Sequence, residues 1–224
     1  MKIVCMSDTH GYVGGQDFEV PDGDVLVHAG DATRLGEPNE VFSFLAWFRR
    51  MPHKHKIFVA GNHDRLFEQR DLVASVNELR SYGITYLQDS RTIIDGVRFW
   101  GAPWTQEFGG WAFGLKPGPQ IDDKWALIPD RTDVLITHSP AAGVRDRDAT
   151  GRSLGCMNLA RRLSSAGNLR PQAFIFGHIH EGYGTSDDGW PRCVNASVCN
   201  RAYEPVNPVQ SFEYLESKEN DDGA

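Results

Sequence analysis

The chain has 224 residues, of which 40% are hydrophobic, and its formal net charge at pH 7 is −7. A chain of this length can bury a full core without disulfides, and its four cysteines form no C-x-x-C pair, which predicts reduced thiols. The acidic balance, without any lysine- or arginine-rich block, argues against a broad surface for extended nucleic acid. No stretch has the length and apolar character of a membrane span, so we expect no membrane partner.

The composition predicts one domain at residues 1–216, followed by a polar tail at residues 217–224. Because no signal-peptide pattern precedes the first apolar run, we expect a cytoplasmic protein. The sequence makes no prediction of the oligomeric state.

Short apolar runs and helical patterns follow one another along the chain. Strands are predicted at residues 3–6, 24–29, 56–60, 84–87, 97–102, 133–137, 173–176, 193–198 and 211–215. Helices are predicted at residues 37–50, 66–82 and 157–166, and an ordered loop rich in glycine, proline and aromatics at residues 109–120. This order fits either one doubly wound α/β sheet or two stacked sheets with helices outside, and the pattern does not separate them.

Candidate metal ligands follow the ends of five of these strands. Carboxylate, amide and imidazole side chains occur there at Asp8, His10, Asp31, Asn62, His138, His178 and His180. In open α/β sheets, sites form at the carboxyl ends of strands, so we expect these side chains to converge on one rim. Taken singly, the aspartates and the asparagine also fit the alternative of turn or helix N-cap residues.

The mixture of carboxylate oxygens and imidazole nitrogens suits first-row divalent ions. Seven ligands are too many for one tetrahedral zinc ion. They suit two ions that share a bridging carboxylate, and two ions about 3.5–4 Å apart can clamp both reacting oxygens of a phosphoryl transfer. We therefore expect two divalent ions, with Mn²⁺ favoured over Fe or Zn²⁺.

The ordered motifs D-x-H, G-D, G-N-H-D, a single H and G-H-x-H resemble those of the calcineurin-like metallophosphoesterases. The resemblance runs from residue 2 to about residue 215. The segments S-D-T-H, V-H-A-G-D, G-A-P-W-T and H-E-G-Y-G narrow it to the metallophosphoesterase-domain-containing branch, which is similar to class III cyclic-nucleotide phosphodiesterases. The resemblance implies an α/β fold in which two packed β-sheets are flanked by helices, an αββα sandwich.

The resemblance also implies a role for each candidate ligand. It assigns Asp8, His10 and His180 to a first metal, Asn62, His138 and His178 to a second, and Asp31 to a bridge between them. A metal-bridging hydroxide would attack phosphorus, while His63 would protonate the leaving alkoxide or stabilise its charge. Asp64 would orient His63 through a hydrogen bond. Some relatives replace the first histidine of G-H-x-H by glycine, whereas this chain keeps His178.

Substrate contacts are predicted on weaker patterns. Four aromatic side chains follow the strand at residues 97–102, and one or two of them are candidates for stacking on a nucleobase: Trp104, Phe108, Trp111 and Phe113. Packing of the loop against the core is the alternative. Arg34 and Arg145 are candidates for contacting a phosphate oxygen, with surface ion pairs as the alternative.

The function predicted from this reasoning is hydrolysis of small phosphodiesters, such as 2′,3′- or 3′,5′-cyclic nucleotides, by a dinuclear metal enzyme. A phosphomonoesterase or a nuclease is the related alternative. The alternative of another class is a metal-dependent nucleotide-binding or interaction module with little turnover. The expected partner is a small phosphate ester, nucleotides included, because bound metal ions reverse the local field of an acidic protein.

Overall fold

The computed structural model describes residues 1–13, 17–164, 169, 171–186 and 191–215. The predicted tail at residues 217–224 and the predicted end of the helix at residues 165–166 lie outside these described residues. The described strands are β1 (Lys2–Met6), β2 (Val25–Ala29), β3 (His55–Val59), β4 (Thr85–Tyr86), β5 (Ser90–Ile94), β6 (Val97–Ala102), β7 (Thr105–Gln106), β8 (Gly114–Leu115), β9 (Val134–Thr137), β10 (Ala173–Phe176), β11 (Gly184–Ser186), β12 (Arg192–Asn195) and β13 (Gln210–Glu213). The described α-helices are α1 (Pro38–Phe48), α2 (Arg65–Gln69), α3 (Leu72–Ser81), α4 (Pro119–Ala126) and α5 (Met157–Ser164), and a short 3-10 helix spans His180–Gly182.

The strands form two main sheets and a small two-stranded ribbon, β7-β8. The first sheet has the order β13-β1-β2-β3-β4, and the second has the order β11-β12-β10-β9-β6-β5. Strands β1 to β4 run parallel in the first sheet, as do β6, β9, β10 and β12 in the second. Antiparallel strands β13, β11 and β5 lie at sheet edges. The predicted αββα sandwich is confirmed, and the single doubly wound sheet is wrong.

Alternation of side chains along the strands produces three apolar layers. In β1, Cys5 belongs to the layer between the two sheets, together with Ile57 of β3 and Ile175 of β10. The neighbouring Met6 points to the opposite face, where Phe44 of α1 covers the first sheet. Helices α4 and α5 cover the outer face of the second sheet in the same way. Because both faces of each sheet are covered, the central strands are apolar on both sides.

The helix predicted at residues 66–82 is wrong in one respect, since it is two helices. Arg70 is extended, with φ −89° and ψ 157°, and it ends α2. The Asp71 side chain then accepts a hydrogen bond from the backbone N–H of Ala74 at 2.9 Å and caps α3. The apolar residues keep helical spacing across residues 66–82, so the pattern alone does not show the break. The break arises because Asp71 is a strong helix N-cap and starts a new helix.

Other segments also differ from the prediction. The loop predicted at residues 109–120 contains β8 and the start of α4, where Pro119 occupies the first turn. Strand β5 was not predicted, because its exposed edge carries polar residues. In the part of the chain that is described, no helix combines the length and the apolar character needed to cross a membrane.

Candidate metal centre

The seven predicted ligands lie together at one end of the sandwich, just beyond the carboxyl ends of β1, β2 and β3 in one sheet and of β9 and β10 in the other. Five are buried, and His178 and His180 are half-buried. The parallel strand pairs bring these ends to a common rim, as expected for α/β sheets. The structure thus brings the seven predicted residues together at one rim.

The side chains form two groups of possible ligands. In the first, His180 Nε2 lies 3.3 Å from Asp8 Oδ1 and 3.3 Å from His10 Nε2. In the second, His138 Nε2 lies 3.2 Å from Asp31 Oδ2. Asp31 Oδ2 also lies 3.9 Å from His10 Nε2, so this one oxygen stands between both groups.

Two further residues complete the second group. The ligand atoms of Asp31, His138 and His178 all lie within 4.8 Å of one another. Asn62 Oδ1 lies 3.0 Å from His138 Nε2 and thus faces the same space. The set combines hard oxygen and imidazole donors, the chemistry that suits a divalent transition ion.

Backbone carbonyls fix the orientation of three imidazoles. The Nδ1 atoms of His10, His138 and His180 lie 3.2, 2.9 and 2.8 Å from the carbonyl oxygens of Thr33, Ala29 and Asn200. Because a carbonyl only accepts, each Nδ1 carries the hydrogen and each Nε2 is directed into the cluster. Ligand histidines in metalloproteins are held in this way by their outer nitrogen.

Two buried carboxylates give the cluster its negative charge. Burial alone raises the pKa of Asp8, but the hydrogen bond and the charge of His180 outweigh it and hold that pKa well below its ordinary value. For Asp31, burial is likewise opposed by the charge and hydrogen bond of His138, and its pKa is also well below the ordinary range. Both carboxylates are ionised at neutral pH, as a cation site requires.

The imidazoles divide into two pairs. Burial lowers the pKa of His178 to about 3 and that of His10 to about 4, so both are neutral with a free lone pair. Burial also acts against the charged forms of His138 and His180, but the neighbouring carboxylates raise each pKa to about 9. In the metal-free protein, the positive charges of protonated His138 and His180 thus balance the negative charges of Asp8 and Asp31. A divalent ion displaces such protons from its ligands when it binds.

Four of the ligands have a backbone conformation that is uncommon outside glycine. The φ angles of Asp8, His10, Asp31 and His178 are +52°, +42°, +55° and +71°. Such conformations persist only when the surrounding structure enforces them, and they cluster at functional sites. The segments that present these four predicted ligands are therefore among those whose backbone is strained.

A sequence model of the calcineurin-like phosphoesterase family matches residues 1–182. The chain belongs to this family. It is 40% identical over 228 residues to human metallophosphoesterase domain-containing protein 1, an alignment that covers 92% of this chain and 69% of that protein. It is also 32% identical to UPF0046 protein T07D4.2 of Caenorhabditis elegans, which covers 95% of this chain and 60% of that protein.

Structural similarity agrees with the sequence. A crystal structure that is 19% identical superposes with a TM-score of 0.64 and covers 87% of this chain and 89% of its own, which shows the same fold. The branch expected from the motifs is confirmed by the human relative. The protein is a metal-dependent phosphoesterase, a hydrolase that acts on phosphate esters. The family implies a divalent metal centre, for which the residues above are candidate ligands.

His63 of this phosphoesterase lies beside the ligands. Its Nε2 is 3.9 Å from Asp31 Oδ2, and its side chain is 11% exposed toward the cavity above the cluster. Its Nδ1 lies 2.5 Å from the carbonyl oxygen of Arg34, to which it donates. The ring therefore presents Nε2 to the space above the metal ligands.

Asp64 does not make the hydrogen bond to His63 that was expected, because the Arg34 carbonyl takes that place. The Asp64 carboxylate instead accepts from the backbone N–H groups of Ala32, Thr33 and Gly61 at 3.3, 3.0 and 2.8 Å, and from the Thr33 hydroxyl at 2.7 Å. It thereby joins the loop that carries Asp31 to the loop that carries Asn62. Its contacts are those of a residue that positions the ligand segments.

Three glycines directly precede ligands, and Gly177 is the tightest of them. A Cβ atom there would overlap Asp8 Oδ2 and the Ser7 side chain, which itself donates to Asp8 Oδ2 at 2.6 Å. The same oxygen accepts from the Ser197 hydroxyl at 2.7 Å. Glycine at this position is what allows the two sheets to share the carboxylate.

We expect Gly177→Ala to lower the free energy of unfolding by about 1–3 kcal/mol through overpacking and to weaken metal binding, because Asp8 must move. Urea unfolding and metal analysis measure the two effects. Gly114→Ala is the control, since its nearest neighbour, the Glu107 Cα, is 3.2 Å from the added atom. Equal stabilities of the two variants would contradict the tight packing around Asp8.

A cavity of about 790 Å³ opens over the ligands. Its apolar lining consists mainly of Phe108, Trp111, Leu154, Met157 and Tyr203. Its charged residues away from the metal ligands and His63 are three carboxylates and one arginine: Glu107, Asp148, Glu181 and Arg201. The apolar part of the lining is thus shaped for a ligand with an apolar part.

Two of the four predicted aromatics, Phe108 and Trp111, line this cavity. Phe113 is buried in the core, and Trp104 packs beside it at 5.8 Å between ring centroids. Trp104 Nε1 donates to Asp89 at 2.6 Å, so this side chain is fixed away from the cavity. For Trp104, packing of the loop is the interpretation that the contacts support.

The two predicted arginines also have other contacts. Arg34 Nε donates to the carbonyl oxygen of His10 at 2.9 Å. Arg145 donates to the carbonyl oxygens of Gly182 and Tyr183 at 3.2 and 3.1 Å and to Ser186 Oγ at 3.0 Å. Neither is among the described residues that line the cavity. Both guanidinium groups thus stabilise segments that carry predicted ligands. These contacts are neither the predicted phosphate contact nor the alternative, a surface ion pair.

Tyr203 was missed by the sequence reasoning. Its ring centroid lies 4.7 Å from that of His10 and 5.4 Å from that of His180, and φ is +61°. Its loop is held by Asn200 Oδ1, which accepts from the N–H groups of Ala202 and Glu204 at 2.8 and 3.1 Å. The available signal was its position beyond β12, whose carboxyl end reaches the same rim as that of β10.

Proposed function

We propose that this phosphoesterase is a phosphodiesterase that hydrolyses small phosphodiesters, cyclic nucleotides in particular, with two divalent ions. The observation that most supports a dinuclear site is the position of Asp31 Oδ2, 3.2 Å from His138 Nε2 and 3.9 Å from His10 Nε2. One carboxylate oxygen between two sets of imidazoles is the arrangement that a bridging ligand requires. The proposal treats residues 1–216 as one domain, because the ligands come from both sheets.

The proposed ligand assignment follows the two groups. Asp8, His10 and His180 would hold the first ion, Asn62, His138 and His178 would hold the second, and Asp31 would contact both. The donor set fits the ions, because the two carboxylates are ionised and the outer nitrogens of three imidazoles are held by carbonyls. Mn²⁺ is the proposed ion, with Fe or Zn²⁺ as alternatives that the same donors accept.

The proposed chemistry divides between the ions and His63. Divalent ions held there would supply Lewis-acid stabilisation of a phosphoryl group and would activate water as the nucleophile at neutral pH. His63 donates a proton from Nε2 to the leaving alkoxide as its bond to phosphorus breaks. Nδ1 cannot serve, because it donates to the Arg34 carbonyl. Asp64 contributes by positioning the loops on either side.

The preference for a diester is supported by the charges around the cavity. A phosphodiester carries one negative charge, whereas a phosphomonoester carries about two near pH 7. Of the three carboxylates in the lining beyond the predicted metal ligands and His63, Asp148 is paired with Arg152 and Glu181 lies 3.8 Å from Arg201. Glu107 is the carboxylate that opposes the second charge of a monoester. The apolar lining, which includes Leu154 and Met157, suits the larger organic part of a diester such as a nucleoside.

The first experiment is an assay of the purified protein with Mn²⁺ against bis(p-nitrophenyl) phosphate and p-nitrophenyl phosphate. We expect Mn²⁺-dependent cleavage with a higher kcat/KM for the diester, followed by turnover of 2′,3′- or 3′,5′-cyclic nucleotides. Preference for the monoester would favour a phosphomonoesterase. Binding of nucleotide without turnover of any ester, with both ions bound, would favour a binding module.

Removal of metal should also lower thermal stability, because ligands that bind only the folded chain stabilise it. An ion at 100 times its Kd contributes about 2.7 kcal/mol, and each kcal/mol moves the Tm of a chain of this size by about 2–4 °C. Differential scanning calorimetry with and without a chelator measures this. An unchanged melting curve would mean that the proposed ligands hold no ion under those conditions.

A further inference from the structure

We infer that Trp111 is a positioning residue for His63: its indole holds the imidazole with Nε2 facing the reacting group. The inference rests on the proposed function, since it assigns Trp111 a task in the step given to His63. It differs from the expectation that Trp111 stacks on a nucleobase. Three sets of contacts lead to it.

The first is the direct contact between the rings. The ring centroids of His63 and Trp111 lie 4.0 Å apart with an interplanar angle of 31°, a shorter separation than that of any other ring pair described. The imidazole also meets His10 edge-on at 4.6 Å, and Nδ1 is held by the Arg34 carbonyl. The His63 ring is thus held by the hydrogen bond at Nδ1, by His10 at its edge and by the indole at its face. It therefore has little room to turn about its side-chain bonds.

The second is the anchoring of the loop that carries Trp111. The backbone N–H of Ala112 donates to the Asn62 carbonyl at 3.2 Å, and that of Phe113 donates to Glu68 Oε1 at 2.6 Å. The loop is thus attached to both sides of His63 in the chain. An indole presented for a mobile substrate would not require attachment to the segment of the proposed acid.

The third is the Arg65 side chain, two residues after His63. Its guanidinium carbon lies 4.6 Å from the centroid of the Trp111 ring. Its Nε is buried and has no hydrogen-bond partner among the described residues, and the indole face contributes a cation–π contact to this guanidinium. The segment around His63 therefore contacts Trp111 through two side chains.

Phe108 supplies a matched control on the same loop. It also lines the cavity, but its ring lies 5.4 Å from His178 and it is 44% exposed. A residue that acts through His63 and a residue that only shapes the cavity are thus separated by three positions in the chain. Trp111→Leu keeps an apolar side chain but removes the aromatic face. Trp111→Phe keeps a smaller aromatic face.

We expect Trp111→Leu to lower kcat by about 10–10²-fold through misplacement of the acid, with metal content and KM unchanged and with partial recovery in Trp111→Phe. The loss should be absent when Trp111→Leu is added to His63→Ala, since a residue that acts through His63 has nothing left to position. Phe108→Ala should behave additively with His63→Ala. A rise in KM alone, or an additive loss in the double variant, would overturn the inference and indicate a substrate contact.

A second readout does not depend on turnover. In the Zn²⁺-loaded protein, which is diamagnetic, the ring protons of His63 should be shifted upfield by the indole, and His63→Ala identifies their resonances. They should move downfield in Trp111→Leu, partly in Trp111→Phe and not in Phe108→Ala. Unshifted protons in the parent protein would refute the stacking. If the stacking is present but no ester is hydrolysed, the proposed function fails, and the positioning of the His63 ring by Trp111 is still upheld.

Discussion

Asp31→Asn is expected to remove phosphoester hydrolysis almost completely and to reduce the bound metal below the two ions per chain of the proposed centre. The backbone N–H of His63 donates to Asp31 Oδ1 at 2.8 Å. Asparagine keeps the shape of the side chain and an oxygen that accepts this hydrogen bond, so the fold should persist. It removes the charged oxygen that faces both ligand groups. Loss of several kcal/mol of Lewis-acid stabilisation corresponds to a fall in kcat/KM of about 10³-fold or more.

The measurements are steady-state kinetics and metal analysis of the dialysed protein. Asp122→Asn is the matched control, because this carboxylate lies on α4 and its side chain is 47% exposed. It should retain both ions and full activity. Two tightly bound ions in Asp31→Asn would rule out a bridging role for this carboxylate.

His63→Ala is expected to lower kcat by about 10²–10⁴-fold, the usual contribution of a general acid. The reduction should be larger for an ester with an alkoxide leaving group than for a p-nitrophenyl ester, because p-nitrophenolate needs little help from a proton. Metal content should be unchanged, since His63 is not one of the seven proposed ligands. The comparison of leaving groups separates proton donation from general damage to the site.

Metal analysis of His63→Ala distinguishes a proton donor from a metal ligand. The ligand atoms of His63, His10 and Asp31 lie within 4.8 Å of one another, a spacing that is also compatible with metal ligation. Parallel loss of metal and activity in His63→Ala would therefore identify a ligand and not an acid. His55→Ala, in β3 and far from the strand's carboxyl end, is the control for replacing a histidine.

The convergence of the seven candidate ligands was predictable because each follows a parallel strand, and parallel strands align their carboxyl ends. Asp8, Asp31 and His138 could be placed on one rim from this rule alone. Hydrogen-bond partners of side chains could not be placed in the same way. His63 finds a backbone carbonyl that is 29 residues away in the chain, and no local pattern indicates which carbonyl a fold brings within reach.

The hydrogen bonds made by the predicted substrate-contact residues could not be foreseen for the same reason. Arg145 donates to carbonyls 37 and 38 residues further along, and Trp104 donates to Asp89 in an earlier segment. Their side-chain chemistry fits a substrate contact equally well, and only the tertiary packing decides between the two. Tyr203 lacks a motif altogether, because its place beside His10 results from the turn at Asn200.

The origin of the ligands in both sheets has a consequence for assembly. The His178 N–H reaches Asp8 across 170 residues of chain, so the first half of the protein cannot complete the centre by itself. Contacts of such long sequence separation form late in folding, because the chain must first close a large loop. Loading of the proposed two-ion centre would therefore report that both sheets have docked, and metal uptake during refolding should follow the last folding phase and not precede it.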